Sequence, residues 1–130
     1  MKQYIVEDSS FIVAIMDSGD AFHSDAFSVF REILKNRDKI KVIIPPLVLY
    51  EVIVALSRRR INHAIIEDKI LRLLHTREII VFSIAETAAF KHCKSLLSTV
   101  SQSQGLLLRT ADFMIVNLAI DCEAQVLTFD

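Results

Sequence analysis

The chain has 130 residues, 52% hydrophobic and 24% charged, with net charge −1 and mean hydropathy +0.41. That size fits one domain able to bury roughly two thirds of its unfolded surface, and that apolar content excludes disorder. No run approaches the ~20 apolar residues of a membrane helix; the net charge near zero counts mildly against nucleic acid as a partner, but acids gathered around metal ions would leave the rest of the surface more basic than the total suggests.

The start, MKQYIVED, places an acidic pair where a signal peptide would be apolar. With only Cys93 and Cys122, in no ligand-like spacing, the expectation is a cytoplasmic protein with free, buried thiols.

Residues 3–7 (QYIVE) read as a short buried strand ending at Asp8, and Ser9 or Ser10 can cap a helix through Met16. Phe22, Ala26, Phe27, Phe30, Ile33 and Leu34 predict an amphipathic helix over 21–36. A second strand at 40–44 stops at Pro45-Pro46, and Pro46 suits the first turn of a helix over 46–60. A helix over 62–76 precedes a third strand at 78–82. Ser83 to Glu86 forms a capping box opening a helix to Gln104, ended by Gly105. Thr110 caps a helix over 111–123, and a fourth strand at 125–129 precedes Asp130. Short, wholly apolar strands separated by helices predict one α/β domain over 1–130. Its architecture is a three-layer sandwich whose short parallel sheet, of four or five strands, lies between helices.

Ligands of such sheets bind beyond the carboxyl ends of the strands. Asp8, Glu51, Asp112 and Asp130 stand out because each is embedded in apolar sequence and maps to that edge. Buried carboxylates need a partner, and gathered ones repel, so a hard divalent cation with oxygen ligands is the natural relief. Mg2+ or Mn2+ fits better than zinc, for which no His/Cys spacing exists. Each acid also has a plainer reading: Asp8 as a helix cap, Glu51 as an arginine's partner, Asp112 as a dipole-favoured first-turn acid, Asp130 as a loose end. Glu7 is assigned to the opposite side of its strand from Asp8. Glu32, Asp38, Glu67, Asp68, Glu86 and Glu123 are assigned to solvated faces, and the four histidines to no ligand role.

YIVEDSSFIVAIM, PPLVLYEVIVAL and LRTADFMIVNLAIDCEAQVLTFD together resemble, in order, the blocks of the PIN-domain ribonucleases. These are a strand ending in Asp before a hydroxyl pair, a helix bearing a glutamate, and an Asp-opened helix followed by a strand ending in T-x-D. The compact build is most similar to VapC-type toxins of toxin–antitoxin pairs. The resemblance implies Mg2+- or Mn2+-dependent cleavage of RNA, with Asp8, Glu51, Asp112 and Asp130 as catalytic metal ligands. It gives Ser9 or Ser10, and more weakly Thr128, the task of orienting the carboxylates. The family usually continues past the fourth acid with a last strand or turn, whereas this sequence ends at Asp130.

Arg109, three residues before Asp112, is the best candidate for a phosphate contact. Arg58-Arg59-Arg60 is the densest basic cluster and reads first as a helix C-terminus complementing its dipole. The expected partners are an RNA substrate, a second copy of the chain, and an antitoxin peptide in the acidic cleft or along the helices near 46–76. The alternative is a non-catalytic PIN-like module that binds RNA or protein. A phosphoacceptor receiver domain needs an Asp ending the third strand, where this chain has Ser83. A haloacid-dehalogenase phosphatase needs Asp-x-Asp, where it has Asp8-Ser9-Ser10.

Overall fold

The computed structural model describes residues 2–76, 79–81 and 110–129. In chain order these form β1 (Gln3–Glu7), α1 (Ser9–Met16), α2 (His23–Lys35), β2 (Ile40–Ile44), α3 (Pro46–Arg58), α4 (His63–Thr76), β3 (Ile79–Val81), α5 (Thr110–Asp121) and β4 (Gln125–Leu127). The expected 83–104 helix with its capping box, Cys93, Arg109 and Asp130 lie outside the described residues.

The sheet is parallel throughout, in the order β3-β2-β1-β4. Consecutive parallel strands need crossovers, and the helices between them supply the covering layers. β1 sits in the middle, its Val6 opposite Ile43 on one side and Val126 on the other. Ile5, Val6, Val42, Ile43 and Ile44 are buried, so the strands pack on both faces, as their unbroken apolar runs require. Val48, Val52 and Leu56 of α3, with Ile66 and Leu73 of α4, pack into the same core. Phe11, Ala14, Ile15 and Ala26 form a second cluster between α1 and α2.

The structure adjusts several local expectations. The N-cap of α1 is Asp8, not Ser9 or Ser10: its carboxylate accepts the Ser9 N–H, and both serines lie inside the helix. Thr110 is the first residue of α5 rather than the residue before it. β4 stops at Leu127, which leaves Thr128 and Phe129 to leave the ladder and turn over α1. α3 ends two residues early, where Arg59 is the C-cap and Arg60 takes a left-handed φ of 59°.

Candidate metal centre at the sheet edge

Asp8 stands where the central strand ends, 5% exposed. Its N–H donates to the Leu127 carbonyl (3.0 Å), which extends the β1–β4 ladder by one step and sets Thr128 beside it. Asp8 Oδ1 accepts the Ser9 N–H at 2.8 Å. Oδ2 accepts the Thr128 hydroxyl at 2.7 Å and the Ser10 hydroxyl at 3.2 Å. Ser10 Oγ lies 3.1 Å from Thr128 Oγ1 and accepts the Phe129 N–H at 2.9 Å. Each hydroxyl carries one proton, so with Thr128 donating to Asp8 the single Ser10 proton is shared between Asp8 and Thr128.

Glu51 reaches this edge from the second turn of α3. It lies on the sheet-facing stripe, near Val48 and Ala55 at helical spacing. The Ser9 hydroxyl donates to its Oε2 at 3.1 Å, so one serine joins the two carboxylates through its backbone and its side chain. Glu51 Oε1 is buried and has no hydrogen-bond partner among the described residues.

Asp112 is half-buried in the first turn of α5. Ile115 and Ala119, three and seven residues on, are buried, so Asp112 tops the stripe that α5 turns inward. α5 leads back into β4, which runs parallel to β1, so the N-terminus of α5 lies toward the carboxyl edge where Asp8 stands. Among the described residues, no group of three or more Asp, Glu, His or Cys side chains is close enough to hold a metal ion unaided. The structure therefore joins Asp8 to Glu51 through Ser9 and sets Asp112 at their edge without closing the three together. The family model of the PIN domain matches residues 5–130. This chain belongs to the PIN-domain family.

Two solved structures share its fold. VapC20 of Mycobacterium tuberculosis, described as a sarcin-ricin loop cleaving toxin, is 18% identical, with a TM-score of 0.73 over 97% of this chain and 89% of its own. VapBC2 of Rickettsia felis, solved bound to a DNA fragment from its promoter, is 20% identical, with a TM-score of 0.70 over 98% and 89%. No curated protein matches the sequence. PIN-domain nucleases generally use divalent metal ions.

The donor set of this PIN domain fits such an ion. It consists of carboxylate oxygens, the preference of hard cations, and one of them is a buried acceptor that no described residue satisfies.

Two residues departed from their sequence reading. Glu7 is fully buried rather than merely turned away from Asp8; in a sheet covered on both faces, both sides of β1 are interior. Arg59 is bound to Asp17 (2.7 Å) and Asp20 (2.8 Å), which ties the end of α3 to the α1–α2 loop. That contact holds the Asp17 carboxyl below its ordinary value and raises Arg59. Sequence order alone gave no sign of it, since the partners lie about forty positions apart.

Proposed function

We propose that this PIN domain is a metal-dependent endoribonuclease of the VapC kind, with Asp8, Glu51, Asp112 and Asp130 as its metal-binding acids. The observation that carries the reading is the Asp8–Ser9–Glu51 unit with its unsatisfied buried oxygen, at the sheet edge where α/β proteins bind ligands. Mg2+ or Mn2+ bound there would acidify a water and offset charge on the phosphodiester.

The chain's own residues prepare the site. Ser10 and Thr128 fix the Asp8 rotamer by bonding a single oxygen, Oδ2, and Ser9 fixes Glu51 through Oε2. Asp8 Oδ1 keeps a lone pair beyond the one taken by Ser9 N–H, and Glu51 keeps Oε1. The hydroxyls thus orient carboxylates: Ser9 donates to Glu51, Thr128 donates to Asp8, and Ser10 shares its proton between Asp8 and Thr128. Arg109, close before Asp112 in sequence, is assigned to a substrate phosphate. The expected location is the cytoplasm; among the described residues no helix is long and apolar enough to cross a membrane.

The outer face of α3 exposes Leu47, Tyr50, Ile53 and Val54. Beside it, a groove of about 460 Å³ runs between α3 and α4, lined by Ile53, Ile66, Ile70 and Leu71 among others. We assign this surface to an apolar antitoxin segment or a second copy of the chain.

The test is cleavage of a mixed RNA pool with Mn2+, Mg2+ or EDTA. Metal-dependent cleavage supports the reading, and cleavage that survives EDTA contradicts it. RNA binding without cleavage in either metal would favour the non-catalytic alternative.

A further inference from the structure

Three phenylalanine rings form a ladder that runs from the core beside α1, past the site, to solvent. Phe129 donates its N–H to Ser10 Oγ, so its backbone is bonded into the hydroxyl network around Asp8. Its ring lies between Phe11, 6.2 Å away at 22°, and Phe22, 4.5 Å away at 10°. Phe11 is 2% exposed and closes the inner end, whereas Phe22 is 46% exposed. A single exposed apolar residue is ordinary. A near-parallel ladder with an open outer ring is a different object, because a flat π system can extend it.

The loop carrying Phe22 is tied down by side-chain hydrogen bonds. Asp17 Oδ1 accepts the Gly19 N–H and Asp20 Oδ1 accepts the Phe22 N–H, each at 2.9 Å. The other oxygen of each aspartate accepts from Arg59. One guanidinium therefore locks two Asx turns, and the second fixes the backbone of Phe22 directly. Without a ligand, this network holds an apolar ring in water; with one, it presents a preorganised surface that loses little entropy on binding.

We propose that Phe22 is the stacking platform for a nucleobase of single-stranded RNA, next to the nucleotide whose phosphate enters the acidic site. The proposal rests on the nuclease reading and adds how the substrate is held. Stacking on one exposed ring tolerates any base, so Phe22 contributes affinity and register rather than sequence choice.

The experiment titrates the intact protein, in Mn2+, with a phosphorothioate-linked single-stranded RNA carrying 2-aminopurine, and follows both affinity and fluorescence quenching. Phe22→Leu keeps an apolar side chain against Phe129 but removes the π face; Phe22→Trp keeps the face. Phe22→Leu is expected to weaken binding about tenfold to a hundredfold and to lose the quenching, while Phe22→Trp retains both. Binding and quenching by Phe22→Leu equal to the parent's would overturn the platform and leave the nuclease reading standing. A parent protein that binds no RNA would overturn both, and a variant impaired only in capturing a protein partner would overturn the platform in favour of a protein contact. Thermal unfolding of each variant confirms that the fold survives.

Discussion

Asp8 divides its carboxylate between structure and chemistry. Oδ1 caps α1, and Oδ2 is held by Ser10 and Thr128. Asparagine caps helices about as well as aspartate, because its carbonyl oxygen accepts the same N–H. Asp8→Asn is therefore expected to unfold within a few degrees of the parent while RNA cleavage falls by roughly a hundredfold or more, the scale of removing one electrostatic group from an active centre. Parallel melting and cleavage assays check both halves. Glu51 carries the complementary signal. Its buried Oε1 has no hydrogen-bond donor among the described residues, so a divalent metal bound there should stabilise the parent. At about a hundred times Kd, binding contributes about 2.7 kcal/mol, or on the order of 10 °C for a domain of this size. In Glu51→Gln most of that shift should vanish, as scanning calorimetry with and without Mn2+ would show.

Among the elements, the Arg59 junction joins the C-terminus of α3 to the α1–α2 loop. Arg59 is 41% exposed, so the pairs are solvent-screened and Arg59→Ala should cost only about 1 kcal/mol, near 4 °C in Tm. The pH dependence follows from Asp17, held below its ordinary 3.8 mainly by the hydrogen bond from Arg59. The folded state binds fewer protons there than the unfolded chain, so the stabilisation is complete above 3.8 and disappears as pH falls through the depressed folded value. Parent and Arg59→Ala melting temperatures should differ at neutral pH and converge in that acidic window. The elements themselves were largely legible. Unbroken runs such as KVII gave buried strands, Pro45-Pro46 gave the start of α3, and the Phe22–Leu34 spacing gave α2. The caps were less so: Asp8, Ser9 and Ser10 can all accept a backbone N–H, and only the placement of Thr128 by the β1–β4 register decides among them. The Arg59 junction and the phenylalanine ladder are tertiary, built from residues far apart in sequence, and left no periodic trace.

Across the whole molecule, a parallel sheet with β1 at its centre brings distant segments to one edge: Asp8 directly, Glu51 through Ser9, and Asp112 through the return of α5 into β4. The same packing leaves an apolar face on α3, where Tyr50 is 66% exposed. If that face meets a partner, Tyr50→Glu should weaken self-association or antitoxin capture by tenfold or more without lowering cleavage, because a desolvated charge at the centre of an interface is costly. Sedimentation velocity over a concentration series would show it. On the proposed reading, carboxylates at this edge hold a metal that drives RNA hydrolysis. The most direct measurement is the cleavage rate of one RNA substrate against Mn2+ concentration, for the parent and Asp8→Asn side by side. A saturable metal dependence in the parent and a rate near background in the variant are expected; equal rates, or a parent rate indifferent to metal, would rule out the metal-bound site.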